Sequence, residues 1–373
     1  MHIRIMAFTM SLISVLSFIA PASLQPRLMQ AHFAMLANPV AGFETNSLLV
    51  WRDGEIVQEA YFNGFDEDTL HPVYSITRTV LKALVGIAIE LGYIQGIDQP
   101  VAYFFPEVDI APGQEGKLDM TVEHLLTMSS GVWAPWDDPV WYTTDDLGAA
   151  LFALPLVGEP GVFQFQSGFR SATTELLSAL LSRAIGGRTA FEFASEHLFA
   201  PLGITQFEWE ENADGTSRGT VGLSLTPRDM LRFGLLYFNE GYFEGQQVLA
   251  AAWVAQSRPG PAEGRRNYWD RDDYGYDFFT HEGTSFVTRA SGGQFIVIDP
   301  DNNTVIVRTG TLDQEFGFFQ FFIPMLPIYL PFILLFAAVV VAVILLLRCC
   351  VRKRRKRVFD EADISDDMME KQA

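Results

Sequence analysis

The sequence has few cysteines, lysines and histidines for its length. Both cysteines of the 373 residues, Cys349 and Cys350, lie near the C-terminus, so residues 23–316 cannot form a disulfide. The same stretch holds two lysines, Lys82 and Lys117, and its 17 basic and 39 acidic residues give a net charge of −22. Such an acidic body argues against a nucleic-acid partner, because binding to phosphates needs clustered lysine and arginine.

Motifs for metals and nucleotides are missing too. There is no His-Glu-x-x-His pair, no Walker A loop and no Gly-x-Gly-x-x-Gly fingerprint. The six histidines show no metal-ligand spacing. We therefore expect a protein without a metal and without a cofactor.

The N-terminus is typical of an exported protein. Residues 1–22 combine a basic start, a short apolar run and an Ala-x-Ala site, which together predict a secretory signal peptide. An uncleaved membrane anchor is the alternative. In both cases the chain that follows, residues 23–316, is expected outside the cytoplasm.

A second apolar stretch predicts an anchor near the C-terminus. No charged residue occurs from 316 to 347, and residues 328–347 are long enough to cross a bilayer as one helix. The basic run 352–357 follows, and such clusters stay on the cytoplasmic side. We expect a single-pass membrane protein whose main domain faces the periplasm if the source is bacterial, with 348–373 as a cytoplasmic tail. A buried core helix is the alternative for 328–347.

The exported body has strand patterns at both ends and helix patterns between them. Apolar runs flank Asp53-Gly54 in residues 47–62, which predicts a hairpin, and residues 294–308 repeat this pattern. The predicted helices between them span residues 76–91, 121–128, 172–185 and 226–239. These patterns predict one α+β domain.

Ser75 is the strongest candidate nucleophile. It precedes the predicted helix 76–91, which is apolar on nearly every face and should be buried. A hydroxyl at a helix N-terminus lies in a positive field beside free backbone N–H groups, which favours an intermediate that carries negative charge. The alternative is an ordinary N-cap serine.

The residues around Ser75 resemble a known family. The stretch 74–89 is similar to the active-site helix of the serine β-lactamase and penicillin-binding-protein superfamily, with the class C-related hydrolases and 6-aminohexanoate-oligomer hydrolases as the most similar branch. Further similar stretches are 103–107, 121–131, 201–204 and 225–234. The resemblance covers roughly residues 47–310. It implies an antiparallel sheet built from both ends of the domain with a helical insert, and an acyl-enzyme mechanism on amides or esters.

The resemblance implies that two motifs of the family have counterparts in this sequence: a Ser-x-x-Lys motif with the nucleophile, and a second motif that supplies a tyrosine. Ser75 matches the serine, but Arg78 occupies the lysine position. Arginine is a very poor base, because its pKa stays above about 12. Phe165 occupies the tyrosine position and has no hydroxyl, whereas Ser167 matches the polar residue that ends the motif. The implied proton relay is therefore degraded.

The third motif of the family falls in residues 288–294. Ala290 occupies the position of its glycine, and Ser291 would supply the second oxyanion-hole N–H. In the family this glycine lets substrate lie close to the strand, so Ala290 and the nearby Gly292 are the expected substrate-binding positions, and the ending Gly292-Gly293-Gln294 fits the motif.

Lys82 is a possible alternative base. It lies two helical turns after Ser75, a rise of roughly 10 Å, so its amine would have to reach back past Arg78. The alternative is a lysine that is exposed at the helix edge or paired with an acid. Trp133 and Trp136 would form an apolar wall of the cleft, or an ordinary packed loop.

The sequence therefore leaves three hypotheses for function. The first is a membrane-anchored serine hydrolase that acts on small-molecule or peptide amides and esters through Ser75, with weak turnover. The second is a catalytically silent member that binds an envelope fragment, a peptide or a protein in the same cleft. The third is a structural membrane protein without a working pocket.

Overall fold

The computed structural model describes residues 43–258 apart from Trp136, together with residues 274–280 and 284–312. All of them lie in the first of two structural units, Met1–Asp313. Its strands are β1 (Phe43–Arg52), β2 (Glu55–Tyr61), β3 (His71–Pro72), β4 (Glu208–Trp209), β5 (Leu223–Leu225), β6 (Tyr242–Phe243), β7 (Gln246–Gln247), β8 (Phe279–Thr280), β9 (Phe286–Arg289), β10 (Phe295–Asp299) and β11 (Thr304–Leu312). Its helices are α1 (Ile76–Glu90), α2 (Val122–Leu126), α3 (Val140–Thr143), α4 (Leu147–Ala153), α5 (Ser167–Ala184), α6 (Ala190–Ala194), α7 (Pro227–Phe238) and α8 (Ala251–Ser257).

Strands from both ends of the domain form one sheet, in the order β2-β1-β11-β10-β9-β8. The neighbouring strands are antiparallel, and Leu49 of β1 lies opposite Val307 of β11. The β1–β2 turn consists of Asp53 and Gly54, both with positive φ (51° and 98°), as a two-residue hairpin requires. The predicted hairpin and the shared antiparallel sheet are confirmed.

Helix α7 packs directly on this sheet. A Cβ atom on Gly234 would lie 2.8 Å from both Ile296 Cγ2 and Val305 Cγ1, so glycine permits the close approach. The helix begins as its sequence predicts, because Thr226 Oγ1 accepts a hydrogen bond from the Asp229 N–H at 3.2 Å.

Helix α1 runs through the centre of the domain, and its residues from Ile76 to Ala88 are all buried. It ends one residue before the predicted boundary, and Gly92 follows in the left-handed conformation (φ 79°) that terminates helices. The prediction of a buried helix after Ser75 is confirmed.

Two predicted helix boundaries are wrong. Helix α5 begins at Ser167, five residues before the predicted start at Ala172, and thus includes the end of the second family motif. Helix α2 covers only Val122–Leu126 of the predicted 121–128. Met128 adopts a positive φ of 56°, which a continuing helix cannot accommodate.

The membrane predictions concern other residues. Signal peptide 1–22, span 328–347 and tail 348–373 lie outside the described residues. Among the helices of the described part, none combines the length and apolarity needed to cross a bilayer.

Candidate active site

Ser75 lies at the start of α1 with its side chain half-buried. Its hydroxyl makes no capping hydrogen bond to the helix, so it is not an ordinary N-cap. Tyr74, the preceding residue, has a φ of 46°, a strained value for a bulky side chain. The sequence thus places a hydroxyl with no capping role at the positive end of a buried helix.

The third motif lies beside this helix start. A Cβ atom on Gly292 (φ 72°) would come within 3.3 Å of Tyr74 Cε2, so the Tyr74 ring packs against the Gly292 backbone. Deeper along α1, the hydroxyls of Thr79 and Thr288 share a hydrogen bond of 2.6 Å. Ala290 is half-buried here and Ser291 is exposed. The structure therefore brings residues 288–292 next to the first turns of α1.

The second motif contributes an aromatic cluster. Phe165 is 8% exposed, and its ring lies 5.8 Å from Phe163, 5.4 Å from Tyr274 and 5.9 Å from Phe279, measured between ring centroids. A phenylalanine ring thus fills the position at which the family resemblance implies a phenol.

Residues after Phe165 lead into helix α5, whose start contacts Trp133. Ser167 is the exposed first residue of α5. A Cβ atom on Gly168 would lie 2.3 Å from Trp133 Nε1, so the indole rests on the start of this helix while remaining 40% exposed. That Trp133 lines a cleft stays a prediction, and Trp136 lies outside the described residues.

Two residues of α1, Arg78 and Lys82, belong to a buried charged network. Arg78 Nε donates to Asp277 Oδ1 at 3.0 Å, and Lys82 Nζ pairs with Asp277 Oδ2. Lys82 Nζ also donates to the Tyr274 hydroxyl at 2.9 Å. All four residues are at most 3% exposed. The expectation of a lysine at the exposed helix edge is therefore wrong, and its alternative, pairing with an acid, is confirmed.

Burial and mutual charge set the protonation of this network. Burial lowers the pKa of Lys82 to about 8, although Asp277 opposes the shift. Burial raises the pKa of Asp277, but Arg78 and Lys82 lower it more, so the net pKa lies below its ordinary value. Burial, with a contribution from Asp277, raises the pKa of Tyr274 well above 10. Lys82 is thus the member that can exchange a proton near neutral pH, while Tyr274 remains a phenol.

The sequence of this chain is similar to those of known proteins. The sequence profile of the family described as Beta-lactamase matches residues 34–319. The chain belongs to the beta-lactamase family. A curated relative, the 6-aminohexanoate-dimer hydrolase of Paenarthrobacter ureafaciens, is 27% identical over 287 residues, which cover 71% of this chain and 72% of that protein.

Solved structures of beta-lactamase relatives share the fold. A beta-lactamase/D-alanine carboxypeptidase from Yersinia pestis superposes with a TM-score of 0.57 at 18% identity, covering 76% of this chain and 91% of the other. A penicillin-binding protein homologue from Caulobacter crescentus gives a TM-score of 0.57 at 19% identity, covering 71% and 86%. The α+β fold expected from the resemblance is thereby confirmed.

Arg170, on the helix that follows the second motif, is a site residue that the sequence reasoning missed. Its guanidinium carbon lies 4.8 Å above the centre of the Phe165 ring. Its Nε is buried and has no hydrogen-bond partner among the described residues. Burial lowers the pKa of Arg170, and the positive charge of Arg78 lowers it further. The sequence carried no signal for it, because the predicted helix begins at Ala172 and leaves Arg170 in the preceding loop.

Asp277 and Tyr274 were missed as well. Asp277 adopts a left-handed backbone (φ 62°), and neither residue stands in a motif that marks it. Only the fold brings them to α1.

Another serine has the spacing of a hydrolase nucleophile and can be set aside. Gly215–Gly219 reads Gly-Thr-Ser-Arg-Gly, but it lies in a loop and not between a strand and a helix. Ser217 is 1% exposed, and its hydroxyl accepts a hydrogen bond from the Phe191 N–H at 3.0 Å.

No group of three or more His, Cys, Asp and Glu side chains in the described part of the chain is placed to hold a metal ion. That the protein needs no cofactor stays a prediction.

Proposed function

We propose that the protein is a serine hydrolase that cleaves amides or esters through an acyl-enzyme on Ser75. The observation that carries this proposal is the half-buried Ser75 hydroxyl, which does not cap α1 although it stands at its N-terminus. Backbone N–H groups and the helix dipole there favour the negative charge of a tetrahedral intermediate. Membership of the beta-lactamase family supports the same chemistry.

Turnover is proposed to be slow because the proton relay is altered. The guanidinium of Arg78, a very poor base by its chemistry, is bound by Asp277, and Phe165 has no hydroxyl. Lys82 has a suitable pKa of about 8, but its amine is committed to Asp277 and Tyr274. The loss of one proton-transfer group typically lowers the rate by about 10²–10⁴-fold. When two such groups act as a unit, the effects of losing them are not additive.

A catalytically silent binding protein is the second candidate. The ion pairs of Asp277 with both Arg78 and Lys82 favour it, because they hold the two cations of α1 in a closed network. Such a member would bind an envelope fragment, a peptide or a protein partner in the cleft without cleaving it.

Covalent labelling distinguishes the two candidates. The protein is treated with a fluorophosphonate or a β-lactam, and the adduct is located by mass spectrometry of its peptides. The hydrolase proposal expects an adduct on Ser75 that disappears in Ser75→Ala. Ser195→Ala is the matched control. The Ser195 hydroxyl already donates to the Phe191 carbonyl, so it should carry no adduct, and its removal should leave the adduct on Ser75 unchanged. Absence of any adduct on Ser75 would support the silent candidate.

We further propose that residues 328–347 anchor the protein in a membrane with its hydrolase domain outside the cytoplasm. The uncharged stretch 316–347 and the basic run 352–357 support this topology. The full chain should stay in the membrane pellet after alkaline extraction, and a chain that ends at Glu315 should be released. Release of both would contradict the anchor.

A further inference from the structure

Arg308, in the interior strand β11, is a buried cation that forms no ion pair with any acid of the described residues. It is 6% exposed, and the acceptors of its guanidinium are neutral oxygen atoms. Burial lowers the pKa of Arg308 to about 10. A buried cation costs free energy unless its donors are satisfied, so these neutral acceptors replace the compensation that an acid would give.

The guanidinium of Arg308 connects two separate segments. Its Nη1 donates to the Gly293 carbonyl at 2.7 Å. Its Nε and Nη2 both donate to Thr45 Oγ1 on β1, at 3.1 and 3.0 Å. A Cβ atom on Gly293 would lie 1.9 Å from Arg308 Nη1, so the guanidinium lies directly against the backbone of this glycine. Arg308 thus ties the Gly293 carbonyl to the β1–β11 strand pair.

The short turn that contains Gly293 has a backbone that glycine alone leaves poorly restricted. Gly292 and Gly293 both adopt left-handed conformations, with φ values of 72° and 73°. Two successive glycines have many other conformations open to them. A second side chain also holds the turn: the Gln294 amide donates to the Gly310 carbonyl at 2.6 Å and accepts from the Gly310 N–H at 3.2 Å. The contacts of Arg308 and Gln294 therefore restrict a turn that is otherwise free to change shape.

This turn, residues 291–293, lies beside the start of α1. The Tyr74 ring packs against the Gly292 backbone, and Tyr74 directly precedes Ser75. Ser291 is the first residue of the turn, and no described residue accepts a hydrogen bond from its N–H. A displacement of the turn would therefore change the surroundings of the candidate nucleophile.

We propose that Arg308 is a positioning residue of the candidate active site, which fixes the turn 291–293 against Tyr74 through the Gly293 carbonyl and thereby sets the reactivity of Ser75. Its planar fork reaches Gly293 and Thr45 at once. Lysine would keep the charge but concentrates its donors on one nitrogen, so it can replace only part of this connection. The inference rests on the proposed function, because the reactivity concerned is that of Ser75.

The first measurement is the rate at which a fluorophosphonate labels Ser75 in the full chain in detergent, over a range of probe concentrations. Arg308→Met is expected to lower the limiting rate about 10²-fold, since a displacement of about 1 Å near a reacting group can cost that much. The probe concentration that gives half of the limiting rate should stay the same, because Arg308 touches no ligand. Arg308→Lys should restore part of the rate.

Arg52→Met is the matched control. Arg52 Nε donates to Thr304 Oγ1 at 3.0 Å, so this arginine also connects the strand pair β1–β11 through a threonine hydroxyl. It lies at the opposite end of that pair from Thr45. Its removal should leave the labelling rate of Ser75 unchanged.

The second measurement needs no reactivity of Ser75. Amide hydrogen exchange is followed by mass spectrometry in peptides that contain residues 291–294 and in peptides from α7. Arg308→Met should speed exchange in the turn about tenfold or more and leave α7 unchanged. If this variant does not fold, Thr45→Val removes the other two hydrogen bonds of the same guanidinium and should act in the same direction with a smaller effect.

The two measurements separate this inference from the hydrolase proposal. Unchanged exchange in the turn, or unchanged labelling of Ser75, in Arg308→Met would overturn the inference. Faster exchange throughout the domain would overturn it as well, because Arg308 would then only stabilise the fold. If the parent protein is not labelled but Arg308→Met still speeds exchange in the turn alone, only the hydrolase proposal is removed, and Arg308 is confirmed as the residue that fixes the turn.

Discussion

Helix α1 has two contrasting regions within its first two turns. At its start, Ser75 is half-buried and its hydroxyl makes no capping hydrogen bond. Farther along, Arg78 and Lys82 are buried, and Asp277 binds both. The first region keeps the arrangement of a nucleophile, whereas in the second two buried cations share one carboxylate. Two neighbouring turns of one helix thus have different surroundings, and each can be tested by itself.

Removing the shared carboxylate should have the largest effect. Asp277→Asn leaves Arg78 and Lys82 buried without a counter-charge, so we expect a loss of about 3–5 kcal/mol in the free energy of unfolding at pH 7. Urea denaturation measures it. The control Glu196→Gln breaks an exposed pair with Arg188 and should cost about 0–1 kcal/mol. Equal losses in both variants would show that the network does not stabilise the domain.

Introducing the two relay residues that the family resemblance implies should increase activity. Arg78→Lys together with Phe165→Tyr is expected to raise ester hydrolysis by about 10²-fold, because a general base and a phenol return beside Ser75. Initial rates with a chromogenic ester measure the gain. Phe163→Tyr in place of Phe165→Tyr is the control, since it adds a hydroxyl to the neighbouring ring and should give no gain. No increase with either pair would mean that the motif alignment is wrong.

The pKa of Lys82 predicts a pH dependence of stability. Its folded pKa of about 8 lies below the ordinary 10.5, so the unfolded chain binds more protons between these values. Stability should therefore rise as the pH increases from about 8, by of the order of 1 kcal/mol per unit, with the penalty fully present at lower pH. Lys82→Met should flatten this rise between pH 7.5 and 9.5 in denaturation series. An unchanged slope would assign the effect to other groups.

A local effect concerns the contact between α1 and β9. Thr288→Val leaves the buried Thr79 hydroxyl without its partner at 2.6 Å, which should cost about 1–3 kcal/mol. The double variant Thr79→Val/Thr288→Val should recover part of this loss, because it leaves no orphaned hydroxyl. Thermal unfolding of the three variants gives the coupling, and strictly additive losses would argue against a direct hydrogen bond.

Local signals account for what the sequence predicted well. The Asp53-Gly54 turn, the Thr226 cap and the apolar surface of α1 each follow from residues close together in the chain. The Beta-lactamase family was likewise recognisable from contiguous stretches such as 74–89.

The charged network could not be predicted in this way. Asp277 is 199 residues from Arg78, and Tyr274 is 192 residues from Lys82. The first two turns of α1 supply only two members of the network, Arg78 and Lys82. The other two members come from a distant segment that packs against α1, so the sequence of α1 does not determine the chemistry of the network. The early start of α5, which carries Arg170 into its first turn, was missed because Ser167 and Gly168 favour turns as much as helices.

The order of strands in the sheet has a consequence for biogenesis. Strand β11 lies between β1 and β10, so the last strand of the described chain is an interior one. Until residue 312 has been synthesised, β1 is paired with β2 alone and the sheet stays divided. The open edge of the β1–β2 hairpin therefore stays exposed until synthesis has passed this strand. Shielding of that edge during synthesis would favour efficient folding.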